Sequence, residues 1–476
     1  MSLRGVTTGK RDKNAAPAVG AVRRTGRPAP LPEPLSLGRE YRRADVVSRL
    51  PVRPPGVRPR GLRRGGGAVR QRPRVGHRLR IVYPFATLYF YGEVGIAFTL
   101  VGTGLFANSV ATAGGTLVGG YLSDQYGRKP VMVASMALSA PTLAAYALVT
   151  TAPGFITVAA AAGLAAGLFA PASQAMIADL TPDADREQAY GLLKVASNAG
   201  FGSGFVVGGV LYGFAHTAVF VADGLTSGVV AILLAVALPR VADDERAETG
   251  DSASNPGASL GATLREWSRA VTQPTILALA VLNVGFAVAY AQMQSTVPVF
   301  AEQAFGLTSE QLGTLYVLNP LVIVLFQLPV VSWIQSWRRT RGLALSACFW
   351  AASFVAIVLA HGAPFLLGVG LVGAFLVLRT VGEILHAPLI TALASDVGTV
   401  EERGSQLSVL EVAKRLGFGI GPVVGGAFFD YGVEALLWPA LVGMSLLLGV
   451  GVLSLERRVS PVANGRGDYA ESERPQ

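Results

Sequence analysis

The sequence predicts an all-α integral membrane protein built as two related six-helix bundles. Three observations lead there. Hydrophobic residues make up 51% of the 476-residue chain and charged residues only 15%, where a soluble domain carries about 25% charge. Apolar runs long enough to cross the hydrocarbon core, about 20 residues each, follow one another to residue 455. A stretch of the first half recurs in the second. No soluble fold buries so many apolar helices, and 57 glycines suit close helix packing in lipid.

In chain order, residues 1–80 come first, with 21 Lys/Arg against 4 Asp/Glu. The remaining chain holds 19 against 26, so the net charge of +10 belongs to this tail and not to the body. The tail is Arg, Pro, Gly and Ala without apolar periodicity, and no fold is assigned to it. It reads as an anchor on anionic lipid, as a nucleic-acid arm, or, the preferred reading, as a GC-rich gene translated in the wrong frame. The next run, "IVYPFATLYFYG" at 81–92, gives about 18 Å of helix against a core of about 30 Å. About ten more apolar residues are therefore expected from another frame upstream of Ile81.

Eleven full spans follow, at 97–122, 131–151, 154–178, 188–213, 218–238, 275–299, 309–334, 342–361, 364–394, 405–429 and 434–455. Lys and Arg occupy alternate loops. Arg128 and Lys129 lie in one, Arg186 and Lys194 flank another, Arg338, Arg339 and Arg341 cluster in a third, and Arg403, Lys414 and Arg415 flank a fourth. The intervening loops hold none. That alternation is the positive-inside pattern, so both termini are expected in the cytoplasm and the chain in the plasma (cell inner) membrane. Residues 239–274, "PRVADDERAETGDSASNPGASLGATLREWSRAVTQP", are polar and read as a cytoplasmic linker with a short amphipathic helix at "LREWSRAV". The linker separates a first bundle, 81–238, from a second, 275–456, with 457–476 as a cytoplasmic tail. Residues 170–209 align with 387–426 without a gap, at 16 identities in 40, which marks a duplicated six-helix unit. Halves related this way are a transporter architecture with a site near the midplane.

Over residues 81–456 the chain resembles the major facilitator superfamily. "GYLSDQYGRK" resembles that family's loop 2–3 signature, with Gly120, Asp124, Gly127, Arg128 and Lys129 in its fixed places and Gln125 where a cation is usual. "NAGFGSGFVVGG" resembles the glycine motif of the drug:proton antiporter branch, through Gly200, Gly204, Gly208 and Gly209. Phe205 replaces the motif's proline, which returns as Pro422 beside Gly421 and Gly425 in the second copy. The fourth span lacks the Arg of the drug antiporters, and Ala159 stands about there. The resemblance implies alternating access, with proton-coupled export of small amphipathic compounds. Uptake of a polar metabolite, and a non-transporting remnant of the fold, are the alternatives. The expected partners are a small-molecule substrate, protons and membrane lipid, with no nucleic acid and no cofactor, for a chain acting as a monomer.

At the 123–130 loop the resemblance implies a cytoplasmic latch between the halves, beside a plain orientation signal. Asp124 could pair with Arg128 or accept from a neighbouring helix N-terminus. Charges inside spans default to function, and Arg379 and Glu383 share one face of the tenth. Glu383 reads as the protonatable coupling carboxylate tuned by Arg379, or the two as a structural ion pair. His386 reads as a relay or a core histidine. Asn283, Tyr290, Gln292 and Gln294, with Tyr83, Tyr89 and Tyr91, read as a cavity lining or as helix–helix hydrogen bonds. No phosphate-binding glycine loop and no metal-ligand spacing is visible, so no enzyme chemistry is expected.

Overall fold

A computed structural model describes residues 82–239, 269, 271–334, 336–398 and 402–465. The basic tail, most of the linker with its expected amphipathic helix, and residues 466–476 lie outside the described residues. The first half contains α1 (Val82–Thr87), which runs on as a wider π-type turn at Leu88–Glu93, then α2 (Phe98–Tyr126), α3 (Arg128–Ala145), α4 (Ala152–Leu180), α5 (Asp183–Phe214) and α6 (Ala218–Ala237). The second contains α7 (Pro274–Ala291), α8 (Thr296–Phe305), α9 (Ser309–Tyr316), α10 (Leu318–Ile334), α11 (Arg339–Ala360), α12 (Phe365–Val397), α13 (Arg403–Asp430) and α14 (Glu434–Leu455).

Each expected span falls on helix, but two are interrupted. The seventh breaks between α7 and α8, and the eighth at Val317, between α9 and α10. A proline lies just past each break. A proline ring clashes with the carbonyl four residues back and offers no N–H to it. Pro320 thereby frees the carbonyl of Tyr316, where α9 ends, and Pro298 that of Gln294, in the turn before α8. Local caps set other boundaries. Thr151 accepts the Gly154 N–H at 3.4 Å at the start of α4, and Thr308 and Gln311 form a reciprocal capping box on α9.

Eight described helical segments are long and apolar enough to cross a membrane by length and composition. α2, α5 and α13, of 29, 32 and 28 residues, are not among them. They carry the glycines and polar side chains of the helix–helix interfaces, which lowers their hydropathy. α2 packs on α4, and α3 on α4 and α6; in the second half α11 packs on α12 and α14, and α7 on α13. A ring cluster of Phe90, Tyr146, Phe155 and Phe220 packs the helix ends of the first half away from the Lys/Arg-bearing loops, with centroids 4.4–5.9 Å apart.

Two seams join the halves. α2 lies on α13, and α5 lies on α9 and α10. Both depend on glycine. A Cβ on Gly102 would sit 2.6 Å from the Pro422 carbonyl carbon, one on Gly419 3.0 Å from the Phe106 Cα, and one on Gly426 2.6 Å from the Phe98 carbonyl carbon. In the other seam, Cβ atoms on Gly202 and Gly209 would sit 2.8 Å from the Pro320 ring and 2.6 Å from the Ser309 carbonyl oxygen. Gly202 and Gly419, like Gly209 and Gly426, are equivalent positions of the internal repeat, so the duplication builds both seams alike.

The seams close at the end of the bundle away from the Lys/Arg-bearing loops. The α2 face that meets α13 at Gly102 and Phe106 continues one turn at a time to Val110, Leu117 and Tyr121. Those residues are exposed, Tyr121 to 62%. On α5 the same happens past Gly202, where Val195 and Leu192 are exposed. The halves therefore splay apart toward the basic end.

Candidate functional site

The cluster with the most chemistry lies in the second half, midway along the helices. Arg379 is 1% exposed on α12. Its NH1 group meets Glu383 Oε2, one turn on, at 3.0 Å, and its guanidinium lies 3.9 Å over the centre of the Tyr290 ring. The Tyr290 hydroxyl, from α7, donates to Glu383 Oε1. Asn319, from the start of α10, donates its amide to Thr380 Oγ1 at 2.8 Å and to Glu383 Oε2 at 3.4 Å. One carboxylate thus accepts from three donors on three helices. The Glu383 side chain is 21% exposed, whereas Arg379 beneath it is sealed in.

The local fold makes this geometry. Pro320 ends α9 and starts α10 with Asn319 turned inward, 4% exposed. Gly382 lets the Trp350 ring of α11 lie against α12 beside the pair. Trp350 and Phe418 flank Tyr290, with centroids 5.8 and 4.7 Å away. Arg379 Nε and NH2 and the Trp350 indole nitrogen have no hydrogen-bond partner among the described residues. The guanidinium is therefore held by one carboxylate and one ring face. Protonating Glu383 would remove the ionic attraction and leave the guanidinium held by the Tyr290 ring and a weaker hydrogen bond.

The other residues singled out in the sequence separate by place. Asn283 donates to the Leu410 carbonyl at 2.9 Å and ties α7 to α13. Gln292 is fully buried in the α7–α8 break, donating to Val288 and Gly421 carbonyls at 2.9 and 3.0 Å and accepting from Thr296 at 2.9 Å. Gln294 is half-buried in the same break. Tyr89 packs on Phe90 and Phe220 in the first half, and Tyr91 on Phe98. His386 is buried against Phe286 and Trp350. Asn108 donates to the Ala159 carbonyl at 2.8 Å, at the place of the absent α4 cation. Gly204 and Gly208 are buried on α5 and Gly200 half-buried. Gly421 faces the end of α7, where a Cβ would sit 2.7 Å from Ala291, and Gly425 faces the α7–α8 break, where one would sit 2.6 Å from Gln292.

At the basic end Gly127 has φ +89°, which L side chains rarely adopt, and turns α2 directly into α3. Gly120 faces open space. Asp124 is exposed, with no ion pair to another described residue. Arg128 pairs with Asp179 at the end of α4, at 2.8 Å, and Lys129 donates to the Leu238 carbonyl closing α6, at 2.6 Å. The second half repeats the arrangement. Arg339 pairs with Asp396 at 2.6 Å, and Arg186 and Arg403 donate to the carbonyls of Ala178 and Ser395. Asp179/Asp396 and Arg186/Arg403 are identities of the internal repeat. That was the signal available for Asp179, which the sequence reading did not single out. For Asn319 it was an amide beside a proline inside an apolar run.

The sequence profile of the Major Facilitator Superfamily matches residues 79–309 and 295–474. The chain is 25% identical over 379 residues to the uncharacterized MFS-type transporter YttB of Bacillus subtilis, covering 78% of this chain and 90% of that one. It is 24% identical over 381 residues to the multidrug resistance protein MdtH of Proteus mirabilis, covering 79% and 88%. Among solved structures, the nucleoside transporter NupG matches with a TM-score of 0.67 at 14% identity, over 79% of this chain and 94% of that chain.

Proposed function

Because the chain belongs to the major facilitator superfamily and is a multi-pass membrane transporter, we propose that it exports small amphipathic compounds in exchange for protons. Glu383 is the proton-carrying group and Arg379 its counter-charge. The observation that carries this is a partly exposed carboxylate at mid-helix, tied to a buried guanidinium and to donors on two other helices. Charges at that depth are costly, about 2.5–3.5 kcal/mol each on insertion scales. Glu383 keeps one side open, as a group that takes up and releases a proton requires. The multidrug resistance relative supports export of amphipathic compounds, and the half-buried rings of Tyr290 and Phe418 beside the carboxylate suit such ligands.

The basic end faces the cytoplasm in this reading, by the Lys/Arg alternation, and both termini lie there, in the cell's inner membrane. The state described is then open inward. The 123–130 loop acts as a latch only when the halves swing together. Here its cations are held within their own half by Asp179 and Leu238, and Asp124 is left exposed for the partner it would find on closure. Reconstituted protein tests the proposal. Fluorescent amphipathic dyes in proteoliposomes should be driven uphill by an imposed pH gradient. Dye movement indifferent to that gradient would exclude proton exchange.

A further inference from the structure

At the closed end, α2 begins without a cap of its own. The residue before it is Ala97, whose side chain offers no acceptor. Its carbonyl takes the N–H groups of Leu100 and Val101 at 2.9 and 3.1 Å, leaving those of Phe98 and Thr99 without an acceptor in their own half. Both are taken by Asp430, the last residue of α13 in the other half. Oδ1 accepts from Phe98 and Oδ2 from Thr99, each at 2.8 Å. The carboxylate also stands at the positive end of a 29-residue helix. The seam is tight around it, with the Phe98 ring 5.3 Å from Phe429 and Gly426 against the Phe98 backbone. The other seam has no such dependence, since α9 is capped within its own half by Thr308 and Gln311.

We propose that Asp430 is a positioning residue for the transport cycle, a cap supplied in trans that latches the halves together at the end opposite the basic loops. Parting α2 from α13 at that end breaks two charge-assisted hydrogen bonds at once and strips the first turn of α2 of its acceptors. Asp430 thus biases the protein toward the state described here and sets how often the far side opens.

The test measures separation at that end. Spin labels on Phe214→Cys and Leu366→Cys, exposed positions on opposite halves away from the latch, are placed in full-length protein carrying Cys348→Ser. Asp430→Ala is expected to enrich the widely separated population on the order of tenfold, and Asp430→Asn, which keeps one acceptor oxygen, about threefold. Should Asp430→Ala not fold, Asp430→Asn makes the same comparison. Ala97→Ser, added to either variant, gives α2 a cap in its own half and separates latch from helix support. The proposal expects thermal stability to recover while the wide population persists. An unchanged distance distribution in the Asp430 variants, or its return to wild type with Ala97→Ser, would overturn the proposal.

Discussion

Arg379 constrains everything near it at the scale of single residues. A guanidinium sealed at mid-helix with one ionic partner leaves residue 383 two tolerable options, a carboxylate or a close hydrogen-bonding mimic. Removing one member of a buried pair costs about 3–5 kcal/mol, because the other charge stays buried alone. Glu383→Ala is therefore a poor probe of transport, and the amide variant is the informative one. Tyr290 has two roles in the cluster, one through its hydroxyl and one through its ring. Tyr290→Phe removes the hydrogen bond to Glu383 and keeps the face under Arg379. It is expected to fold normally and to lower pH-driven transport on the order of tenfold, the scale of one hydrogen bond to a charged group; initial rates in proteoliposomes check this. Arg379, Glu383 and Tyr290 were legible in the sequence as polar intruders in apolar runs. That they touch was legible only for the two on one helix. Tyr290 and Asn319 reach them from 93 and 64 residues away, a distance no local period reports.

Whole helices were easier to read, since one long apolar run becomes one span. What hydropathy averaged over a whole span did not carry were the breaks after Ala291, at the polar run 292–296, and after Tyr316, four residues before Pro320. Glycine decides the seams between helices. Gly419→Leu would force the Phe106 backbone away, an overpacking cost of about 1–3 kcal/mol that falls on closure of the α2–α13 seam. Turnover should fall while helix content by circular dichroism holds. Gly120→Leu, whose Cβ meets nothing, should not lower the melting temperature. At the basic end, the segment after α14 folds back onto the start of α11. Glu456 accepts from Arg338, Arg341 and Thr340, and Asn464 caps the Thr340 N–H at 3.0 Å. Desolvation works against the Glu456 carboxylate, but those hydrogen bonds outweigh it and hold its pKa below the usual 4.5. A lowered folded-state pKa contributes stability above the unfolded value and loses it as pH falls through the folded one. Glu456→Ala should accordingly melt about 1–3 °C below wild type at pH 7, with the gap closing below about pH 4.

Two seams closed at one end and splayed at the other give the whole molecule a direction. The internal repeat supplies it twice over, with equivalent glycines in the seams and equivalent Arg–Asp pairs at the basic end. The proposed orientation rests on the Lys/Arg alternation, so a reporter active only outside the cytoplasm should stay silent when fused after Arg458, and activity there would reverse the assignment of the ends. The central claim is that Glu383 carries the proton that drives transport. Its most direct test compares wild type with Glu383→Gln in proteoliposomes, where dye counterflow and pH-driven accumulation are read separately. The account predicts that the Gln variant still exchanges dye across the membrane at equal pH and no longer concentrates it when a pH gradient is imposed. Accumulation against a dye gradient by the Gln variant, at the wild-type level, would contradict it and leave Arg379 and Glu383 as a structural pair.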